Sequence, residues 1–74
     1  MSEKELRQII ATRIQVHRKA MGLKQSELAE RAGASQGAIA DAENARKNAS
    51  LLTILKLSHV FGVEPHVLLT KVSL

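Results

Sequence analysis

The 74-residue chain is long enough for one domain with a modest core and too short for two. Lysine and arginine outnumber aspartate and glutamate 11 to 7, a net charge of +4, which favours a polyanionic partner without naming one. The absence of cysteine excludes a disulfide framework and a thiolate zinc site, no apolar run is long enough to span a bilayer, and the start Met1–Glu5 lacks the apolar stretch of a signal peptide, so a cytoplasmic location is expected.

Hydrophobic residues make up 45% of the sequence, yet Phe61 is its single aromatic, so the interior is expected to be Leu, Ile, Val and Ala packed between helices. From about Lys4 to Met21, the residues Leu6, Ile9, Ile10, Ile14 and Met21 recur at helical spacing, with Arg7, Arg13, Arg18 and Lys19 mostly off that stripe. Ser2 followed by Glu5 reads as a capping-box start, and Gly22 is placed to end this first helix. His17 falls near the stripe, as a histidine at the core edge.

The stretch Gln25 to Asn44 reads as two short helices joined by a tight turn. Ser26 to Ala32 is helix-forming with Leu28 and Ala32 one turn apart, and Gly33 supplies the left-handed residue that ends it. Ser35 then caps a second helix in which Ala38, Ile39, Ala42 and Glu43 follow at helical spacing. Two helices that cross steeply over a short turn need a small residue at the crossing, a permissive one in the turn and a bulky apolar one to lock the packing. Ala29, Gly33 and Ile39 supply these in order.

A polar segment with adjacent positive charges follows, Ala45-Arg46-Lys47-Asn48-Ala49. Ser50 caps a further helix, Leu51 to Phe61, apolar on so many sides that a place at the bundle centre is expected, and Gly62 ends it. Pro65 fits the first turn of a last short helix reaching about Thr70. Val67, Leu68 and Leu69, with Val72 and Leu74 beyond, exceed what so short a helix can bury and predict a dimer contact. The expected architecture is therefore all-α, a compact five-helix bundle forming a single domain over residues 1–74, with the paired helices at 25–44.

The spaced features Gly22-Leu23-Lys24-Gln25, Glu27-Leu28-Ala29, Gly33-Ala34-Ser35, Ile39, Glu43-Asn44, Ser50-Leu51-Leu52, Leu55, Phe61-Gly62-Val63 and Leu68-Leu69 resemble the phage-repressor and Cro-type helix-turn-helix, the XRE family of bacterial transcription regulators, over about Ile9 to Leu69. The resemblance implies a lambda-repressor-like DNA-binding domain whose helix from Ser35 to Asn44 enters the major groove. It matches Gln36 to a base-reading position, where a glutamine amide pairs with adenine N6 and N7, and Gln25 to a phosphate contact at a helix N-terminus. Ser35, Arg46, Lys47 and Asn48 are then expected on phosphate, and Arg18 with Glu43 as a structural ion pair. Where many relatives carry long polar residues, this chain has Gly37, Ala38, Ala40 and Asp41. Gly37 would allow close approach to the groove and Ala40 could touch a thymine methyl. Asp41 could accept from cytosine N4 or be a solvated charge that mildly repels phosphate. Ala45 and Ala49 stand where the family usually has glycine and proline, which leaves the path of that loop open.

The expected function is a sequence-specific DNA-binding regulator, most simply a repressor, acting as a homodimer on a palindromic operator in double-stranded DNA. The alternative is a protein-interaction module of the same fold, antitoxin-like or adaptor, binding DNA weakly; its support is the sparse recognition helix and the apolar C-terminal end. An enzyme is not expected, nor a cofactor or metal, because Glu27, Glu30, Asp41 and Glu43 are accounted for by helix surfaces and an ion pair, and His17, His59 and His66 lack the spacing of a metal or catalytic constellation.

Overall fold

In the computed structural model, which describes residues 1–72, four α-helices precede one 3-10 helix. They are α1 (Glu3–Ala20), α2 (Gln25–Ala32), α3 (Gln36–Glu43) and α4 (Leu51–Phe61), and the 3-10 helix is Pro65–Leu69. Among the described residues no helix is long and apolar enough to cross a membrane.

Helix starts follow from serine chemistry. The hydroxyls of Ser2, Ser35 and Ser50 each accept the amide of the residue three places on, Glu5, Ala38 and Thr53, at 3.1 Å. Lysine has no acceptor, so at the start of α2 the support runs backwards, with the Glu27 carboxylate accepting the Lys24 N–H at 2.9 Å. At α1 the expected reciprocal box is incomplete, because the Glu5 carboxylate accepts the Ser2 hydroxyl at 3.3 Å rather than its backbone N–H.

All four α-helices end by the same reversal. A residue at positive φ follows each helix, namely Gly22 (69°), Gly33 (65°), Ala45 (55°) and Gly62 (68°). The next amide then donates back across the turn: Leu23 to the Arg18 carbonyl, Ala34 to Ala29, Arg46 to Asp41 and Val63 to Ser58, at 2.9–3.1 Å. At the end of α3, alanine does this with a Cβ that crowds the neighbouring carbonyl, at a cost of roughly 1–2 kcal/mol. The loop whose path the sequence left open is thus an ordinary helix reversal carried out without the usual glycine.

The elements close a ring around the core: α1 packs on α3 and the 3-10 helix, α2 on α3 and α4, and α4 on the 3-10 helix. Ile14, Leu28, Ile39, Leu57 and Leu68, one from each element, meet in its middle with essentially no exposure. Ala29 is buried in the core cluster, and its small side chain lets α2 and α3 approach closely.

Two expectations give way. The fold is all-α but has four α-helices rather than five, because the last element is a 3-10 turn held by bonds of i+3 to i, Val67 to Glu64 and Thr70 to Val67. Five residues beginning with proline, which has no N–H, are too few to establish an α-helical ladder. Nor is α4 central. Ile54, Leu57 and Ser58 face inward, while Leu51, Leu52 and Leu55 remain 86%, 59% and 55% exposed, since α2 and the 3-10 helix cover one side only.

Candidate nucleic-acid interface

α3 is anchored from behind. Ile39, Ala42 and Glu43 are buried, and residues on the far side of the helical wheel from them, Gly37, Ala40, Asp41 and Asn44, point outward with Gln36 at the leading edge. Gln36 and Gly37 are exposed, while Ala40 and Asp41 are partly so. A Cβ added at Gly37 would meet nothing within 4 Å, so the outer surface of the first turn is bare backbone open to close approach.

One guanidinium fixes the pose of this helix. Arg18 of α1 donates through Nε to Glu43 Oε2 at 2.7 Å and through Nη2 to Oε1 at 3.0 Å, while its Nη1 donates to the Leu23 carbonyl at 2.7 Å. Gln15, one helical turn earlier, donates to the Glu43 carbonyl at 2.6 Å. The Glu43 carboxylate is all but fully buried, and bidentate pairing compensates for that burial, so α1 holds the C-terminal end of α3 at two points. The N-terminal end is left facing out.

The residues expected on phosphate lie at the start of α2, at the N-cap of α3 and in the loop that follows α3. Gln25 opens α2, at the end where free N–H groups attract anions. The Ser35 hydroxyl accepts from Ala38 N and still has a proton to donate outward. Arg46 and Lys47 are largely exposed, yet both reach back toward Asp41, at 4.0 and 3.6 Å. The Asn48 side-chain oxygen accepts from Arg7 Nη1 at 3.3 Å, which ties the loop to α1 and leaves the Asn48 amide free to donate. Ser35, Gly37, Asp41, Lys47, Asn48 and Thr53 are among the residues lining one open cleft of about 450 Å³ between α3, the loop and the start of α4.

Of the described residues expected at a dimer contact, one faces the interior. Leu68 is fully buried and completes the chain's own core, so it is unavailable to a partner; the last helix turns it inward to plug the ring between α1 and α4. Val67 and Val72 are half-buried, Leu69 is exposed, and Leu74 lies outside the described residues. His17 stacks on Phe61 with centroids 5.1 Å apart, and its enclosed Nε2 has no hydrogen-bond partner. Burial, and secondarily the Arg13 cation, lowers the pKa of this imidazole.

Four contributors were missed at the sequence level, among them Gln15, which lies one turn before Arg18 on α1. Asn44, seven residues after Gly37, was recoverable from helical spacing alone. Thr53 shares the cleft because the α3–α4 loop folds back, and Arg7 reaches Asn48 across 41 residues of sequence; neither has a local signal.

A family model described as helix-turn-helix matches residues 14–68. Among solved structures, a hypothetical transcription factor, NHTF, from Neisseria superposes with a TM-score of 0.86 at 30% identity, over 95% of this chain and 79% of that one. The restriction-modification controller protein C.AhdI from Aeromonas hydrophila superposes with a TM-score of 0.79 at 32% identity, over 84% of this chain and 94% of the other. Comparison with curated proteins finds no match.

Proposed function

Because this chain belongs to the XRE-type helix-turn-helix family of DNA-binding regulators, we propose that it acts in the cytoplasm as a homodimeric repressor that reads a palindromic operator with the outward edge of α3. The observation that carries this is the pose of α3: its C-terminal end is clamped by Arg18 and Gln15, and its N-terminal end, with Gln36 foremost, is open. Gln36 pairs with a base through its amide, and Gly37 and Ala40 let the helix sit deep in the groove. Gln25, Ser35, Arg46, Lys47 and Asn48 bind the backbone and set the register. Repression follows from occupying a promoter, a role that needs no effector site.

One such module spans few base pairs, so affinity and specificity require two copies whose half-sites lie about one helical turn apart, roughly 34–36 Å. With Leu68 internal, we assign the pairing face to the exposed α4 leucines Leu51, Leu52 and Leu55. Leu51 and Leu55 are one turn apart on a single stripe, an exposed apolar surface that a second copy would cover. The sparse outer face of α3 supports a second reading, a protein-interaction module that binds DNA weakly.

Titrating random-sequence and palindromic duplexes at several salt concentrations, with sedimentation in parallel, separates the two. Salt-dependent binding by a dimer supports the regulator. A monomer without duplex affinity at low salt supports the interaction module.

A further inference from the structure

Asp41 lies on the outward face of α3, one turn beyond Gly37, within the cleft that fronts the expected DNA backbone. Each of its oxygens faces one loop cation: Oδ1 is 4.0 Å from Arg46 Nη1 and Oδ2 is 3.6 Å from Lys47 Nζ. The geometry is imposed by the main chain. The positive φ of Ala45 turns the loop back, the Arg46 amide donates to the Asp41 carbonyl at 2.9 Å, and both cationic side chains are thereby aimed at the carboxylate of the same residue. The side chain of Asp41 is 29% exposed, against 68% and 77% for Arg46 and Lys47, so the anion is the fixed partner and the cations are the free ends.

A carboxylate flanked by two cations at this spacing presents to them what a backbone phosphate presents, a pair of anionic oxygens. We propose that Asp41 is an internal stand-in for phosphate, which occupies Arg46 and Lys47 in the free protein and yields them to the DNA backbone on binding. Pairs this exposed exchange readily. Once DNA is bound, however, the carboxylate stays close to the phosphates it resembles and opposes every duplex equally. Asp41 therefore lowers the affinity for all duplexes by one factor and leaves their ratio unchanged, so at a given protein concentration only a duplex that also satisfies Gln36 and its neighbours is occupied. This assignment rests on the DNA-binding reading, and it selects between the two roles the sequence left open for Asp41: it repels rather than reads.

The test compares wild type with Asp41→Asn, which preserves shape, on a random duplex and on the duplex the wild type selects from a random pool. Arg46→Gln/Lys47→Gln with and without Asp41→Asn completes a cycle. The expected result is tighter binding of D41N to both duplexes, about tenfold, with a salt slope steeper by about one to two phosphate equivalents and unchanged base preference. In the background lacking both cations, D41N should gain less than about threefold, because one negative charge has been removed but no cation released. Loss of affinity confined to the selected duplex, with altered preference at one position, would show that Asp41 reads a base and would overturn the proposal. Equal gains in both backgrounds would also overturn it, by reducing the effect to net charge. Should neither wild type nor D41N bind any duplex at low salt, the DNA-binding reading fails, and this inference with it.

Discussion

Replacing Arg18 by methionine tests how α3 is held. The substitution keeps most of the aliphatic stem and removes both bonds to Glu43, leaving a carboxylate whose side chain is only 2% exposed with no cation beside it. Removing one partner of a buried pair costs about 3–5 kcal/mol, because the remaining charge is neither solvated nor paired. Glu43→Gln is gentler. It keeps the shape and one acceptor oxygen, and Arg18, 15% exposed and still bound to the Leu23 carbonyl, can turn toward water, so a loss of about 1–2 kcal/mol is expected. For a 74-residue domain of roughly 4–11 kcal/mol total stability, Arg18→Met should remove a large fraction of it. Equilibrium urea unfolding followed by circular dichroism reads the difference: with a slope near 1 kcal/mol/M, the midpoint of R18M should fall by about 2 M more than that of E43Q. Equal midpoints for the two variants would refute the reasoning, since they would mean that Glu43 is not a buried anion dependent on Arg18.

Four further outcomes are expected. Ala45→Gly relieves the positive φ and, net of the greater chain entropy of glycine, should stabilise by about 0.5–1 kcal/mol, read as a rise of a few degrees in Tm; a fall would mean that the turn is unstrained. Gly37→Ala meets no neighbour and should raise stability by up to about 1 kcal/mol, yet weaken operator binding if α3 lies as deep in the groove as proposed, so a variant both more stable and equally tight would contradict that depth. Because the pKa of His17 is lowered below its ordinary 6.5, the unfolded chain takes up the proton first as pH falls, and the imidazole's share of stability, complete above pH 6.5, is lost through the folded-state value. Urea midpoints at pH 7.5 and 5.0 should therefore differ less for His17→Phe than for wild type, and equal differences would remove this role. Leu51→Ser/Leu55→Ser should shift sedimentation from dimer to monomer with little loss of monomer Tm, since both leucines are exposed; an unchanged dimer would place the contact elsewhere.

Much of the fold could be read from local chemistry. Serines at 2, 35 and 50 start α1, α3 and α4 because a hydroxyl satisfies a free amide, and glycines at 22, 33 and 62 end α1, α2 and α4 because they lack a Cβ. The end of α3 was opaque for the complementary reason: alanine gives no hint that it will adopt a left-handed turn, and it does so because the ring of packed helices dictates the return path. The leucines of α4 misled because apolar content signals burial but not by what. In a domain this small, a helix flanked on one side leaves its other side bare, and Leu68, assigned outward from its crowded neighbours, is the residue that fills the centre. At the candidate site, the outer face of α3 was implied by the family resemblance, with helical period supplying its buried side, whereas the pairing of Asp41 with Arg46 and Lys47 depends on the loop reversal and had no signature in spacing alone.

The claim on which the rest depends is that the leading edge of α3 reads base identity. Selection of bound duplexes from a random pool, run in parallel with wild type and Gln36→Ala, tests it most directly. The account predicts an enriched palindrome for the wild type and, for Q36A, relaxed preference at one position in each half-site with the remainder kept. Identical enriched sequences for the two proteins, or no enrichment by the wild type, would contradict it.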